Sequence, residues 1–190
     1  MSSLRGFVVG GLFSALLLAL PLAAPAAESP EAARRQEIET VVREYLRYQC
    51  GYCKGQAIEL RKLLQSDPDI RLVYKELPIL GPVSTFAARA ALAARGQGKY
   101  ETLHAALMAA SERLTEQGVL QIAAQVGLDA ARLEKDMADP AVAETLARSA
   151  RLGEALGIRG TPALIVGTEL APGAADLDAL KRLVGQARKK

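Results

Sequence analysis

The chain has 190 residues, half of them apolar and about a quarter charged, with 24 Lys and Arg against 21 Asp and Glu. That balance excludes an intrinsically disordered chain. The net charge is only +3, and the basic residues are scattered except for Arg188-Lys189-Lys190, which excludes the basic stripe of a nucleic-acid binder. The length fits one domain, or one domain carrying an insertion, and abundant Ala with few aromatics points to a helix-rich fold.

Residues 1–26 read as a signal peptide. Arg5 supplies the positive start, residues 7–22 are almost wholly apolar, and Ala24-Pro25-Ala26 has the small-x-small form of a cleavage site. An uncleaved anchor is the alternative, but the apolar run of roughly 16 residues is short of the about 20 that span a bilayer. The expectation is export to the periplasm, with no membrane attachment after cleavage. Residues 27–40 form a polar lead-in, and residues 41–188 form the folded domain.

Residues 38–48 carry a mixed signal. Ile38, Val41, Val42, Tyr45 and Leu46 have helical spacing, whereas residues 41–48 also hold the β-branched and aromatic types of a strand. Cys50-Gly51-Tyr52-Cys53 follows, and then a helix over 54–65 with Ala57, Leu60, Leu63 and Leu64 on its apolar face, stopped by Ser66-Asp67-Pro68-Asp69. Residues 70–77 alternate as a strand, with Leu72, Tyr74 and Glu76 on one side, and Pro78 and Gly81-Pro82 close it. Residues 84–156 are helical. Gly96-Gln97-Gly98 interrupts them; Thr115, Asp129 and Asp139-Pro140 start new helices, and Gly127 and Gly157 end two. A buried strand over 163–166 is followed by a partner strand over 169–171, and Asp176 caps a terminal helix.

The cysteines carry the chemistry. A secreted scaffold usually spreads several pairs along the chain; this chain has two Cys in all, and the ring they close is too small to staple much. If Cys50 sits just before a helix and Cys53 in its first turn, the free helix N–H groups and the dipole favour a thiolate at Cys50. Cys53, deeper in the helix, then acts as the resolving thiol of a thiol–disulfide exchange. Gly51 permits a tight turn. Zinc is disfavoured, because there is no third Cys and one His. Covalent haem is disfavoured because Lys54 stands where a His is needed. A merely structural disulfide remains open. His104 reads as a surface or half-buried helical residue. Pro162 reads equally as a trans strand boundary or as a cis-Pro loop beside the cysteines.

Together, Cys50-Gly51-Tyr52-Cys53 and its helix, Tyr74-Lys75-Glu76-Leu77-Pro78, the helical block and Gly160-Thr161-Pro162-Ala163 resemble the DsbA-like branch of the thioredoxin superfamily over about residues 44–188. The resemblance implies an α/β, thioredoxin-like fold with a helical domain inserted at about 83–157. It implies Cys50 as the attacking cysteine, Cys53 as its partner, and Pro162 in cis after Thr161, whose backbone can pair with an extended substrate segment. Glu44 matches an acidic position under the active site of relatives, a candidate for proton transfer. The departure lies just upstream of the motif. The helical spacing there, with Arg43 and Arg47, makes the strand before the cysteines atypical or missing, and the strand reading is preferred on the ground that tertiary pairing overrides propensity.

The functional expectation is an exported thiol–disulfide oxidoreductase. Its partners are exported proteins with thiols or disulfides and a redox partner that resets the pair, with no nucleic acid and no external cofactor. A disulfide isomerase or reductase of the same superfamily, and a non-catalytic chaperone-like binder that keeps the fold, are the alternatives.

Overall fold

The computed structural model describes residues 40–189, with side chains from Leu46 onward; the expected signal peptide (1–26) and lead-in residues 27–39 lie outside them. The ambiguous segment before the cysteines is a strand, β1 (Thr40–Leu46). It runs parallel to β2 (Ile70–Glu76), from Thr40 opposite Ile70 to Leu46 opposite Glu76, and antiparallel to β3 (Ala163–Val166), from Val42 opposite Val166 to Tyr45 opposite Ala163. Strand β4 (Glu169–Pro172) pairs antiparallel with β3, so the sheet order is β2-β1-β3-β4. A helix at 40–46 would leave the inner edges of β2 and β3 without hydrogen-bond partners, and this tertiary demand overrides the helical spacing. The strand is shorter than the sequence indicates. It stops at Leu46, so Arg47, whose charge counted against a buried strand, lies beyond its end.

Side chains alternate across β3, and both faces are covered. Leu164 and Val166 meet Leu60 and Leu63 of α1 (Gly51–Ser66) and Leu180 and Val184 of α7 (Leu177–Ala187). Ala163 and Ile165 meet Leu77 and Ile158 on the other face. The terminal basic run is more than a solvated tail. Arg188, at the end of α7, makes a two-pronged contact to Asp67 at the end of α1, at 2.7 and 3.0 Å.

Between β2 and β3 lie α2 (Pro82–Ala93), a 3₁₀ turn (Ala94–Gln97), α3 (Tyr100–Ala109), α4 (Glu116–Gln125), α5 (Ala130–Met137) and α6 (Pro140–Ala155). Their starts follow capping chemistry. Thr115 Oγ1 accepts the Gly118 N–H at 2.9 Å, Asp129 accepts that of Arg132, and Asp139 caps α6 with Pro140 in its first turn. The turn after Gln97 requires Gly98, at φ +66°. Helix α2 sits at the centre. Ala87, Ala88, Ala90 and Ala91 are buried, and their small size lets α3, α4, α5 and α6 all pack against it. This core runs on without a break to Leu46, Tyr48, Cys50 and Cys53. The chain therefore has a thioredoxin-like fold with a helical unit inserted between β2 and β3, and the cysteines lie where that unit meets the sheet.

Candidate active site

Strand β1 delivers the chain through a turn at Tyr48 and Gln49 to Cys50, which is the N-cap of α1. Its backbone is extended (φ −102°, ψ 117°), and its carbonyl accepts the first helical bond from the Lys54 N–H at 3.0 Å. No side chain caps this helix start, so its amides remain available to a charge placed on Cys50. Both thiols are free; Cys50 is 5% exposed and Cys53 fully buried, while Gly51 and Tyr52 between them face solvent. Gly51 does not have the role expected of it. It is not among the positive-φ glycines, and a Cβ built on it meets nothing within 4 Å, so the turn does not require glycine.

Thr161-Pro162, far away in sequence, lies against the pair. The Thr161–Pro162 bond is cis, which settles the geometry the sequence left open. Cys50 Sγ donates to the Thr161 carbonyl oxygen at 3.5 Å, and the Pro162 carbonyl accepts the Gly173 N–H at 3.0 Å, fixing this loop to the end of β4. Beside the loop is an open cleft of about 290 Å³ between Ile158, Thr161, Pro162, Leu170 and Pro172.

The two thiols are electrostatically unequal. Burial opposes ionisation of Cys50, but the Cys53 backbone and thiol and the Arg47 guanidinium outweigh it, so its pKa lies below the ordinary thiol value. Burial dominates at Cys53. The Thr161 side chain and the Arg47 backbone pull downward without overcoming it, and the nearby Cys50 adds to the rise; the thiol is pushed up to about 12. The arrangement thus favours one thiolate, at Cys50, beside a protonated thiol that can take part after it.

Glu44 lies in the middle of β1, opposite Tyr74 on one side and Leu164 on the other; its side chain is outside the described residues. Sequence reasoning missed a different carboxylate. Glu76 ends β2 and is buried, and its Oε1 accepts hydrogen bonds from the hydroxyls of Tyr48 and Tyr100, each at 2.7 Å. Burial raises its pKa to about 7 despite both hydrogen bonds. His104, expected at or near the surface, is 4% exposed because the rings of Tyr48, Tyr74 and Tyr100 close around it. Its Nδ1 lies 3.1 Å from the Tyr48 oxygen. The Tyr48 proton goes to Glu76, so Nδ1–H donates to Tyr48 and Nε2, buried and without a partner, is a bare acceptor. Burial lowers the His104 pKa to about 4. The available signals were a Glu on the apolar side of an alternating strand and the lone His of the chain. Among the described residues, no group of three or more His, Cys, Asp or Glu is placed to hold a metal.

Comparison with known proteins agrees with this geometry. The sequence model of the DSBA-like thioredoxin domain matches residues 41–185. A thioredoxin-like oxidoreductase from Silicibacter pomeroyi DSS-3 superposes with a TM-score of 0.78 at 48% identity, covering 80% of this chain and 87% of that one. A periplasmic thioredoxin-like protein from Salmonella enterica serovar Typhimurium gives 0.72 at 31%, covering 80% and 85%. The thiol-disulfide exchange protein α-DsbA2 from Wolbachia pipientis gives 0.72 at 30%, covering 77% and 81%. A Na⁺/H⁺ antiporter NhaA 3 from Salinispora tropica is 29% identical over 151 residues, which is 78% of this chain and 23% of the antiporter. The chain thus spans about a quarter of the length of the curated relatives it matches.

Proposed function

Because the chain belongs to the DSBA-like thioredoxin domain family, we propose that it is an exported thiol–disulfide oxidoreductase that exchanges disulfides with protein substrates through Cys50 and Cys53. The observation that carries this reading is the inequality of the two thiols: a thiolate-favouring Cys50 at a helix N-terminus, in contact with the cis Thr161-Pro162 loop, over a buried Cys53. In the substrate-reducing direction, the Cys50 thiolate attacks one sulfur of a disulfide. The old S–S bond breaks, and its electron pair leaves on the departing thiolate. Cys53 then attacks Cys50 Sγ, releases the second substrate thiolate and passes its proton to a departing sulfur. The pair ends as a disulfide, two electrons having gone to the substrate. Oxidation of a substrate dithiol is the same sequence reversed. The Thr161 backbone offers an extended substrate segment a place to pair beside the sulfur, and a separate redox partner resets the cysteines.

Export to the periplasm is supported by the signal-like pattern of residues 1–26 and by the periplasmic relative from Salmonella. The non-catalytic alternative rested on a damaged strand before Cys50. With β1 paired on both sides, that support is gone. The test is insulin reduction by dithiothreitol, together with oxidative refolding of a reduced, disulfide-containing protein. The parent accelerates at least one and C50A neither; parent and C50A behaving alike in both would remove the enzymatic reading.

A further inference from the structure

We propose that Arg47 is the counter-charge of the Cys50 thiolate, and that through it the chain sets how strongly oxidising its cysteine pair is; this rests on the exchange reaction proposed above. Arg47 follows the last residue of β1 and is half-buried. It brackets the pair, with its backbone toward Cys53 and its guanidinium toward Cys50. Its Nε is buried and has no hydrogen-bond partner. A buried donor left unpaired is costly, so its placement makes sense if a partner appears during the working cycle. The ionised Cys50 sulfur is that partner.

The neighbouring charges do not compete for this role. Lys54, in the first turn of α1, is committed to the Ala110 carbonyl. Glu76 is taken by Tyr48 and Tyr100. From the loop before β3, what faces Cys50 is the Thr161 carbonyl, which accepts from a thiol and offers nothing to a thiolate. Apart from Arg47, it is Cys53 that favours the anion, through its backbone and its thiol.

The consequence follows the reaction. When Cys50 attacks, the new S–S bond leaves its sulfur neutral, and Arg47 faces no anion until that bond is cleaved. Arg47 therefore stabilises the dithiol form over both the mixed disulfide and the internal disulfide. It makes the oxidised pair easier to reduce and hence a stronger oxidant.

The test uses the C53A background, where one thiol remains, and follows thiolate absorbance at 240 nm against pH. R47Q is expected to move the midpoint up by about one pH unit, and R47K to recover at least half of that shift. In the intact pair, R47Q should lower the glutathione equilibrium constant for reduction of the disulfide several-fold, to about tenfold. R47M, which keeps the aliphatic stem, separates lost charge from lost packing and stands in if R47Q does not fold. An unchanged midpoint in whichever folded variant lacks the charge overturns the proposal. A parent that fails to exchange with glutathione while its midpoint still moves with Arg47 overturns the exchange reading and leaves the counter-charge standing.

Discussion

The Cys50 sulfur donates to the carbonyl of Thr161, 111 residues further along the chain, at 3.5 Å. The sulfur proposed to attack and the backbone proposed to hold substrate thus share one hydrogen bond in the dithiol state. Ionisation of Cys50 removes the donor and leaves the Thr161 carbonyl open to a substrate N–H at the moment the nucleophile forms. The same ionisation is favoured at Cys50 and opposed at Cys53.

Alkylation should expose that inequality. At pH 7, limiting iodoacetamide is expected to label Cys50 at least about tenfold faster than Cys53, since the thiolate is the nucleophile and Cys53 is buried and protonated. Peptide mapping by mass spectrometry reads the ratio. Equal labelling of the folded protein would contradict the assignment of roles.

The redox potential carries the same information as an equilibrium. A stabilised Cys50 thiolate stabilises the dithiol form, so the couple is expected above about −200 mV, on the DsbA side of the range and away from thioredoxin at about −270 mV. Equilibration with glutathione buffers measures it. A value near −250 mV would favour a reductase.

The Glu76–His104 cluster should give two opposed pH dependences. Glu76 titrates near 7 in the folded protein against about 4.5 unfolded, so the folded state holds the extra proton and stability falls as pH rises from about 4.5 to 7. His104 titrates near 4 against about 6.5 unfolded, so the unfolded state holds the extra proton and stability rises between about pH 4 and 6.5. Each effect is worth about 3 kcal/mol at most, and the two nearly cancel between pH 4.5 and 6.5. E76Q should leave the rising slope exposed, and H104Q the falling one. Urea unfolding of the reduced proteins at several pH values measures both, taken as differences from the parent. A flat difference between parent and E76Q across pH 4.5–7 would show that Glu76 is ionised throughout.

Leu164 lies at the centre of the sheet, fully buried between β1 and β4 and packed against α1 and α7. L164A should lower stability by about 2–5 kcal/mol. L152A, on the exposed side of α6, should change it by no more than about 0.5 kcal/mol. Denaturant midpoints at fixed redox state separate the two.

The helices, strands β2 to β4 and the caps at Thr115, Asp129, Asp139 and Asp176 were legible because each depends on local spacing or on a single side chain reaching a nearby amide. The proximity of Thr161-Pro162 to the cysteines came from the resemblance, not from periodicity. Strand β1 was ambiguous because its identity is decided by partners on both sides that spacing cannot show. The Glu76 cluster was invisible for a similar reason. Tyr48, Glu76, Tyr100 and His104 come from a turn, a strand end and one helix, and only packing brings them together. Arg47 looked like an obstacle to a buried strand, and becomes intelligible once the strand is seen to end one residue earlier.

The most direct test of the account is the fate of each cysteine when the reduced protein meets glutathione disulfide. Mass spectrometry should find one glutathione on Cys50 of C53A, little adduct on Cys53 of C50A, and in the parent no lasting adduct but a Cys50–Cys53 disulfide. A parent that accumulates a stable glutathione adduct, or an adduct that forms on Cys53 in preference to Cys50, would contradict it.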